Sequence, residues 1–358
     1  MTRDHGHTTG TAGHGVVHLV VVALLGLAAC GSSGDDGTAV DEPASAEAAT
    51  SQGAFPVTVE HKFGTTTVES EPQRIVAVGL TEQDALLALG VVPVATTEWF
   101  GEHPGAIWPW AEDELRALEA EAPESVGDST ALNVEAVAAQ RPDLILAVYS
   151  GITEEDYDQL SGIAPTVAQP AAHVDYGVPW DELTLTVGQV VGRTDEAEEL
   201  VEDIEASFAA ARDAHPEFDG ATSVVATPYE GIYVYGPEDP RSRLLAALGF
   251  ELPTGLAEVS GDEFGGNLSP ERADLLDVDA IVWLDAEDVE DDDRPGWVAL
   301  YETFDVHTEG REVFLDSFDD TLGGATSFIS ALSLPYLLEG LVPKLAAAID
   351  GDPTTDAP

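Results

Sequence analysis

The hydrophobic pattern of this chain switches repeatedly between two periods. In RIVAVGLTEQDALLALGVVPVATT (74–97) a β-branched run at 75–78 gives way to helical spacing at Leu86, Leu87 and Leu89, then to a second apolar run at 91–95. Thr81 with Asp84 is a helix start signal and Gly90 a stop signal, so the stretch predicts strand, helix, strand. NVEAVAAQRPDLILAVYSG (133–151) repeats the scheme, with Asn133 as cap, Pro142 as break and 144–148 as a buried strand. Strands that are apolar throughout, alternating with amphipathic helices, predict a parallel sheet covered on both faces.

Residues 180–213 lack strand character. Leu200, Val201, Ile204, Phe208 and Ala211 recur at helical spacing, with Asp195 and Glu198 as a capping pair, which predicts a long helical connector. Past His215-Pro216 the alternation resumes, with strands at 223–227, 232–235, 280–284 and 312–315, a helix at 241–249 and a terminal helix from about Leu334. There is also an internal echo. Leu132-Asn-Val-Glu135 leads through Asp143 to Leu144-Ile-Leu, and Leu268-Ser-Pro-Glu271 leads through Asp279 to Ala280-Ile-Val. Asn133 and Ser269 stand at matching cap positions. The expectation is an α/β protein of two Rossmann-like lobes with parallel-rich sheets, bridged by a single long α-helix. The N-terminal lobe is placed at 55–178, the connector at 179–215 and the C-terminal lobe at 216–350.

Composition adds an acidic surface and a tethered end. Hydrophobic residues are 44% of 358, enough for a substantial core, and 13 basic against 68 acidic residues leave a formal charge of −55. Such a surface repels phosphate backbones, so nucleic acid is excluded as a partner. The single cysteine, Cys30, rules out an internal disulfide. It follows the apolar run VVHLVVVALLGLAA, of signal-peptide length, and precedes a Gly/Ser/Ala/Asp-rich stretch unable to bury a core. Leu-Ala-Ala-Cys resembles the lipobox of bacterial lipoproteins. Residues 1–29 then read as a signal peptide, Cys30 as the acylated mature N-terminus and 30–54 as a flexible tether on the outer face of a membrane.

The motifs in order, PQRIVAVGLTEQDALLALGVVPV, LNVEAVAAQRPDLILAVYSG and LSPERADLLDVDAIVWL, resemble the periplasmic iron-siderophore and cobalamin binding proteins of ABC importers, over roughly residues 55–348. ATTEWFG, WPWAEDEL and VGDSTALN look most like the ferric-siderophore binders. The resemblance implies two lobes with the ligand between them, a monomer, and one glutamate per lobe, Glu135 and Glu271, docking into arginines of the permease dimer. Glu82 is a further candidate, expected exposed in a first helical turn. No catalytic residue, resident metal or cofactor is implied, since iron arrives wrapped by its chelator. The mature histidines, His61, His103, His173, His215 and His307, are scattered, and the acidic run 285–293 reads as a solvated loop.

Ligands of open α/β sheets bind beyond the carboxyl ends of the strands. That rule selects Thr97, Glu98, Trp99, Tyr149 and Ser150 in the first half, with Trp108 and Trp110 in the intervening loop. In the second half it selects Tyr229, Tyr235, Arg241, Arg243, Phe264 and Phe328, the last in a loop GGATSF. Flat apolar faces with polar edges suit a bulky iron chelate. Arg241 and Arg243 are the only cations near the expected cleft, and Asp128-Ser129 stand where the resembling hydroxamate binder carries arginine. A neutral or cationic hydroxamate-type siderophore is therefore favoured over a trianionic catecholate, with haem and cobalamin as alternatives. A secreted hydrolase is the rival class, but G-x-S-x-G, H-E-x-x-H and G-x-x-x-x-G-K-[ST] are all missing.

Overall fold

A computed structural model describes residues 55–101, 103–229, 231–286, 298–318 and 321–351. Cys30, the signal and tether segments, and most of the acidic run lie outside the described residues. The described residues form one compact unit. It opens with an antiparallel hairpin, β1 (Val57–His61) and β2 (Gly64–Val68).

The first large sheet holds β3 (Ile75–Ala77), β4 (Ala95–Glu98), β5 (Glu124–Asp128), β6 (Leu144–Ala147) and β7 (Thr166–Ala168) in the order β5-β4-β3-β6-β7, all parallel. The crossovers carry α1 (Glu82–Ala88), α2 (Glu112–Ala117), α3 (Val134–Ala139) and α4 (Glu154–Ser161). Successive residues of β3 and β6 enter opposite cores: Ile75, Leu144 and Leu146 on one face, Val76, Ile145 and Ala147 on the other. Both faces are covered, which is why these strands show no polar alternation. The expected strand at 91–95 starts later, at Ala95. Val91 N–H instead closes the end of α1 on the Leu86 carbonyl (2.8 Å).

The second sheet has the same spatial order, β10-β9-β8-β11-β12, built from β8 (Ser223–Thr227), β9 (Tyr233–Tyr235), β10 (Gly265–Asn267), β11 (Ala280–Leu284) and β12 (Glu312–Leu315). Here β9 runs antiparallel to both neighbours. Its helices are α7 (Pro240–Leu248), α8 (Leu256–Ser260), α9 (Val298–Tyr301), α10 (Asp305–Thr308), α11 (Thr321–Ser327) and α12 (Ser333–Ile349). GGATSF is not a loop: Gly323 to Ser327 lie in α11 and Phe328 follows it.

The connector is divided. α5 (Trp180–Val191) packs Leu183, Val187 and Val190 into the first core and ends at Gly192, whose φ of 72° is the left-handed cap glycine adopts without strain. α6 (Thr194–Ala214) is the actual bridge, with Ala197 in the first core and Ile204 and Phe208 in the second. The expected Asp195/Glu198 capping pair makes no side-chain cap.

The echoed aspartates do the same work in each half. Asp143 accepts from the backbone N–H groups of Gln73 (2.9 Å) and Arg74 (2.8 Å), at the entrance to β3. Asp279 accepts from the N–H (2.8 Å) and hydroxyl (2.9 Å) of Thr222, at the entrance to β8. The echoed caps differ. Asn133 accepts from Ala136 N–H (3.0 Å), whereas Ser269 makes no side-chain cap and precedes a 3-10 turn, Pro270–Leu276.

Candidate functional site

Both sheets reverse their winding at the central strands, between β3 and β6 and between β8 and β11, and the crevice beyond such a reversal is where open α/β sheets take ligands. In the first half this crevice is pinned by Glu82. Its carboxylate is fully buried and accepts from Val148 N–H (2.6 Å), Tyr149 N–H (2.9 Å) and Thr81 N–H (3.2 Å). Burial pushes its pKa up while those amides pull it down. The expected exposure of Glu82 is thus overturned. The first turn of α1 points between β3 and β6, where free amides need an acceptor. Thr81 makes no side-chain cap either.

Asp84 is buried beside it. It accepts from Trp110 Nε1 (2.8 Å) and from Ser330 Oγ (2.5 Å) of the segment between α11 and α12. Burial raises its pKa to about 6 against those two donors, and Oδ1 has no partner.

Two adjoining cavities open at the carboxyl ends of the first sheet. One, of about 350 Å³, is lined by Thr97, Asp128, Asn133, Ser150, Asp156 and Tyr176 among others. The second, of about 200 Å³, is lined by Glu98, Trp99, Phe100, His103, Trp108 and Phe328, and shares Leu80, Thr97 and Asp128 with the first. Trp99 is 42% exposed at its rim and stands edge-on to Phe328 (5.1 Å). Trp108 is a buried wall. Trp110 lines neither cavity: it stacks behind Trp108 (4.9 Å), packs against both cores and holds Asp84, so its place is structural. Burial lowers the pKa of His103.

A chain of rings leads from Tyr176, which lines the larger cavity, to the second half, whose Tyr233, Tyr235, Arg241 and Phe264 line neither cavity. Tyr149 meets Tyr176 (5.7 Å), Tyr176 meets Phe264 (6.4 Å), Phe264 meets Tyr233 (6.0 Å), and Tyr233 meets Tyr235 (5.4 Å). Arg241 lies 4.0 Å over the Tyr235 ring. It is not the free cation expected: it is buried and paired with buried Asp239 at 2.8 Å. Burial pushes the Asp239 carboxyl up and Arg241 pulls it back. Burial also raises the Tyr149 phenol, with Asp239 adding to it and Arg241 opposing it, which sets the first-sheet ring in the field of the second-sheet ion pair. Arg243 is likewise neutralised, by Glu238 at 2.6 Å, and donates to the Gly177 carbonyl. Ser150 Oγ is turned inward to the Ala147 carbonyl (2.7 Å). Tyr229 is 62% exposed and lines neither cavity. Glu135 and Glu271 are both exposed.

Tyr233 and Tyr176 were missed by the sequence reading. The first had a signal: two positions before Tyr235 in a strand, it shares a face with it. Tyr176 had none, because the segment between β7 and α5 has no periodicity.

Two matched sheets, a bridging helix and adjoining cavities at the carboxyl ends of the first sheet define a bilobed fold with the crevice of a binding protein. A family model for periplasmic binding proteins matches residues 75–296, and the chain belongs to that family. It is 30% identical over 261 residues to the ferric enterobactin-binding periplasmic protein FepB of Escherichia coli, covering 63% of this chain and 78% of FepB. It is 31% identical over 196 residues to YfiY of Bacillus subtilis, named a siderophore-binding lipoprotein, covering 53% of this chain and 52% of YfiY, about half its length. The structure of the iron-uptake substrate-binding protein PiaA of Streptococcus pneumoniae with ferrichrome superposes with a TM-score of 0.69 at 26% identity, over 83% of this chain and 99% of PiaA.

Proposed function

We propose that this chain captures a ferric siderophore outside the cytoplasmic membrane and delivers it to the permease of an ABC importer. The observation that carries this reading is the pair of adjoining cavities at the first sheet's carboxyl ends, whose lining ring Tyr176 meets Phe264 of the second half. The names of FepB, YfiY and PiaA support the ligand class. The protein acts by binding and release, as a monomer, and holds no metal of its own.

The charge of the crevice supports a neutral or cationic hydroxamate-type chelate. Asp128 and Asp156 line the larger cavity, and Arg241 and Arg243 are already matched by Asp239 and Glu238. A trianionic chelate would find no spare positive charge there and would meet two carboxylates. Glu135 and Glu271 are the proposed permease contacts, and Cys30 the proposed lipid anchor. Among the described residues no helix is long and apolar enough to cross a membrane.

Tryptophan-fluorescence quenching by ferrichrome, ferric enterobactin, haem and cobalamin tests the ligand. Tight quenching by ferrichrome is expected. Tight response to ferric enterobactin alone would defeat the charge argument, and no response to either iron chelate would defeat the function. Glu135→Ala with Glu271→Ala should abolish most uptake and leave affinity unchanged; normal uptake would reject docking through these residues. Mass spectrometry of the mature N-terminus should find acyl chains on Cys30.

A further inference from the structure

Tyr176 sits where a turn alone would favour another residue. Its φ is 59°, left-handed backbone that glycine and asparagine enter far more readily than a tyrosine. Gly177 follows directly, yet the left-handed position is given to the ring. Strain of this kind persists where surrounding contacts over-determine it, and it concentrates at ligand clamps.

The residue is held from both halves of the molecule. On one side Asp175 accepts from Lys62 Nζ (2.6 Å) and Gln169 Nε2 (2.7 Å), which fixes the segment to the first half. On the other, Arg243 of α7 donates to the Gly177 carbonyl. The ring lies so close over Gly151 that a Cβ there would come within 2.9 Å of it. It stays half-buried, lines the 350 Å³ cavity, and stands edge-on to Tyr149 and to Phe264. A change in the separation of the two sheets moves Phe264 and Arg243 relative to Gly151 and Asp175, and Tyr176 lies between them.

We infer that Tyr176 is a specificity-determining residue, whose ring closes one wall of the larger cavity and gauges the bulk of the chelate as the second sheet approaches. The inference rests on the ligand-capture reading and deepens it. The role belongs chiefly to the ring face and edge, which meet rings and Gly151, while the phenol oxygen accepts from the Gly151 backbone N–H and holds the ring in place.

The test compares Tyr176→Asn and Tyr176→Phe with the parent, by fluorescence titration with ferrichrome and with ferric enterobactin and by thermal melting of the unliganded protein. Asparagine tolerates the left-handed backbone, so its melting temperature should be no lower than the parent's. Its affinity for the tighter-bound chelate should fall roughly ten-fold, the scale of one lost ring contact, and for the weaker chelate by less. Phenylalanine keeps the ring but loses the bond from Gly151 N–H, so its loss for the tighter-bound chelate should be smaller than that of asparagine. Equal loss for both chelates, unchanged affinity in the asparagine variant, or equal loss in the phenylalanine variant would each overturn the inference while leaving capture of an iron chelate intact. A parent that binds neither chelate would instead defeat the function, and this inference with it.

Discussion

The two sheets share strand order but not strand direction, and the difference lies in one connection. Between β3 and β4 the stretch 78–94 holds α1, so β4 returns parallel. Between β8 and β9 only residues 228–232 are available, which suits a hairpin and not a crossover, so β9 returns antiparallel. The consequence falls on the site. In the first half the helix turns its acidic N-terminal residues, Glu82 and Asp84, inward to satisfy amides at the reversal point and to reach Ser330. In the second half the hairpin sets Tyr233 and Tyr235 side by side, and a buried ion pair, Asp239–Arg241, supplies the polar wall. One half therefore offers open acidic and polar cavities, and the other a flat aromatic wall with its charge already neutralised.

Removing the ion pair should produce the largest effect. Arg241→Ala leaves Asp239 buried without its partner, and urea titration should show a loss of about 3–5 kcal/mol. A loss below about 1 kcal/mol would mean that water reaches Asp239 and that the second wall is less dry than its geometry shows.

The buried acid of the first half is next, and its sign is opposite to that of a salt-bridged carboxylate. Asp84 has a folded pKa raised from 3.8 to about 6, so the folded state binds its proton more tightly than the unfolded chain. Its charge costs nothing below about pH 4, and the cost grows as pH rises and is complete above about pH 6. Asp84→Asn should therefore gain on the parent by on the order of 3 kcal/mol between pH 4 and pH 7, measured as the difference of two stability curves, which cancels the repulsion of the remaining acids. A pH-independent difference would show that Asp84 is not desolvated at the junction with Ser330.

The smallest effect probes what the halves have in common. Asp143→Ala and Asp279→Ala each remove a carboxylate that accepts two hydrogen bonds at a strand entrance. Each should cost about 1–2 kcal/mol. A large inequality between them would break the equivalence of the two entrances.

Much of this architecture was readable in advance. The strands 223–227 and 280–284 fall where the apolar runs stand, because a central strand buried on both faces is apolar along its middle; 312–315, at the sheet edge, exposes Phe314 and was marked by its β-rich run alone. The face of α6 was equally plain, since Val201, Ile204 and Phe208 repeat at the period that buries one side of a helix. The break at Gly192 was missed, because a lone glycine inside a helical pattern carries no direction of its own.

What the sequence determined by itself, then, was periodicity: which segments are strands, which are helices, that the two halves echo one another, and that one acidic body carries few cations. Those properties are local or additive, and each residue contributes without knowledge of its distant neighbours. Tertiary structure alone decided which charged and aromatic groups meet. Glu82 reads as an exposed helix-start carboxylate until the amides of Val148 and Tyr149 arrive above it. Arg241 reads as a free cation until Asp239 closes on it in a dry wall, and Tyr176 belongs to no pattern until rings from both sheets stand on either side. Burial and pairing of polar groups depend on contacts between segments far apart in the chain, and no spacing along one segment encodes them.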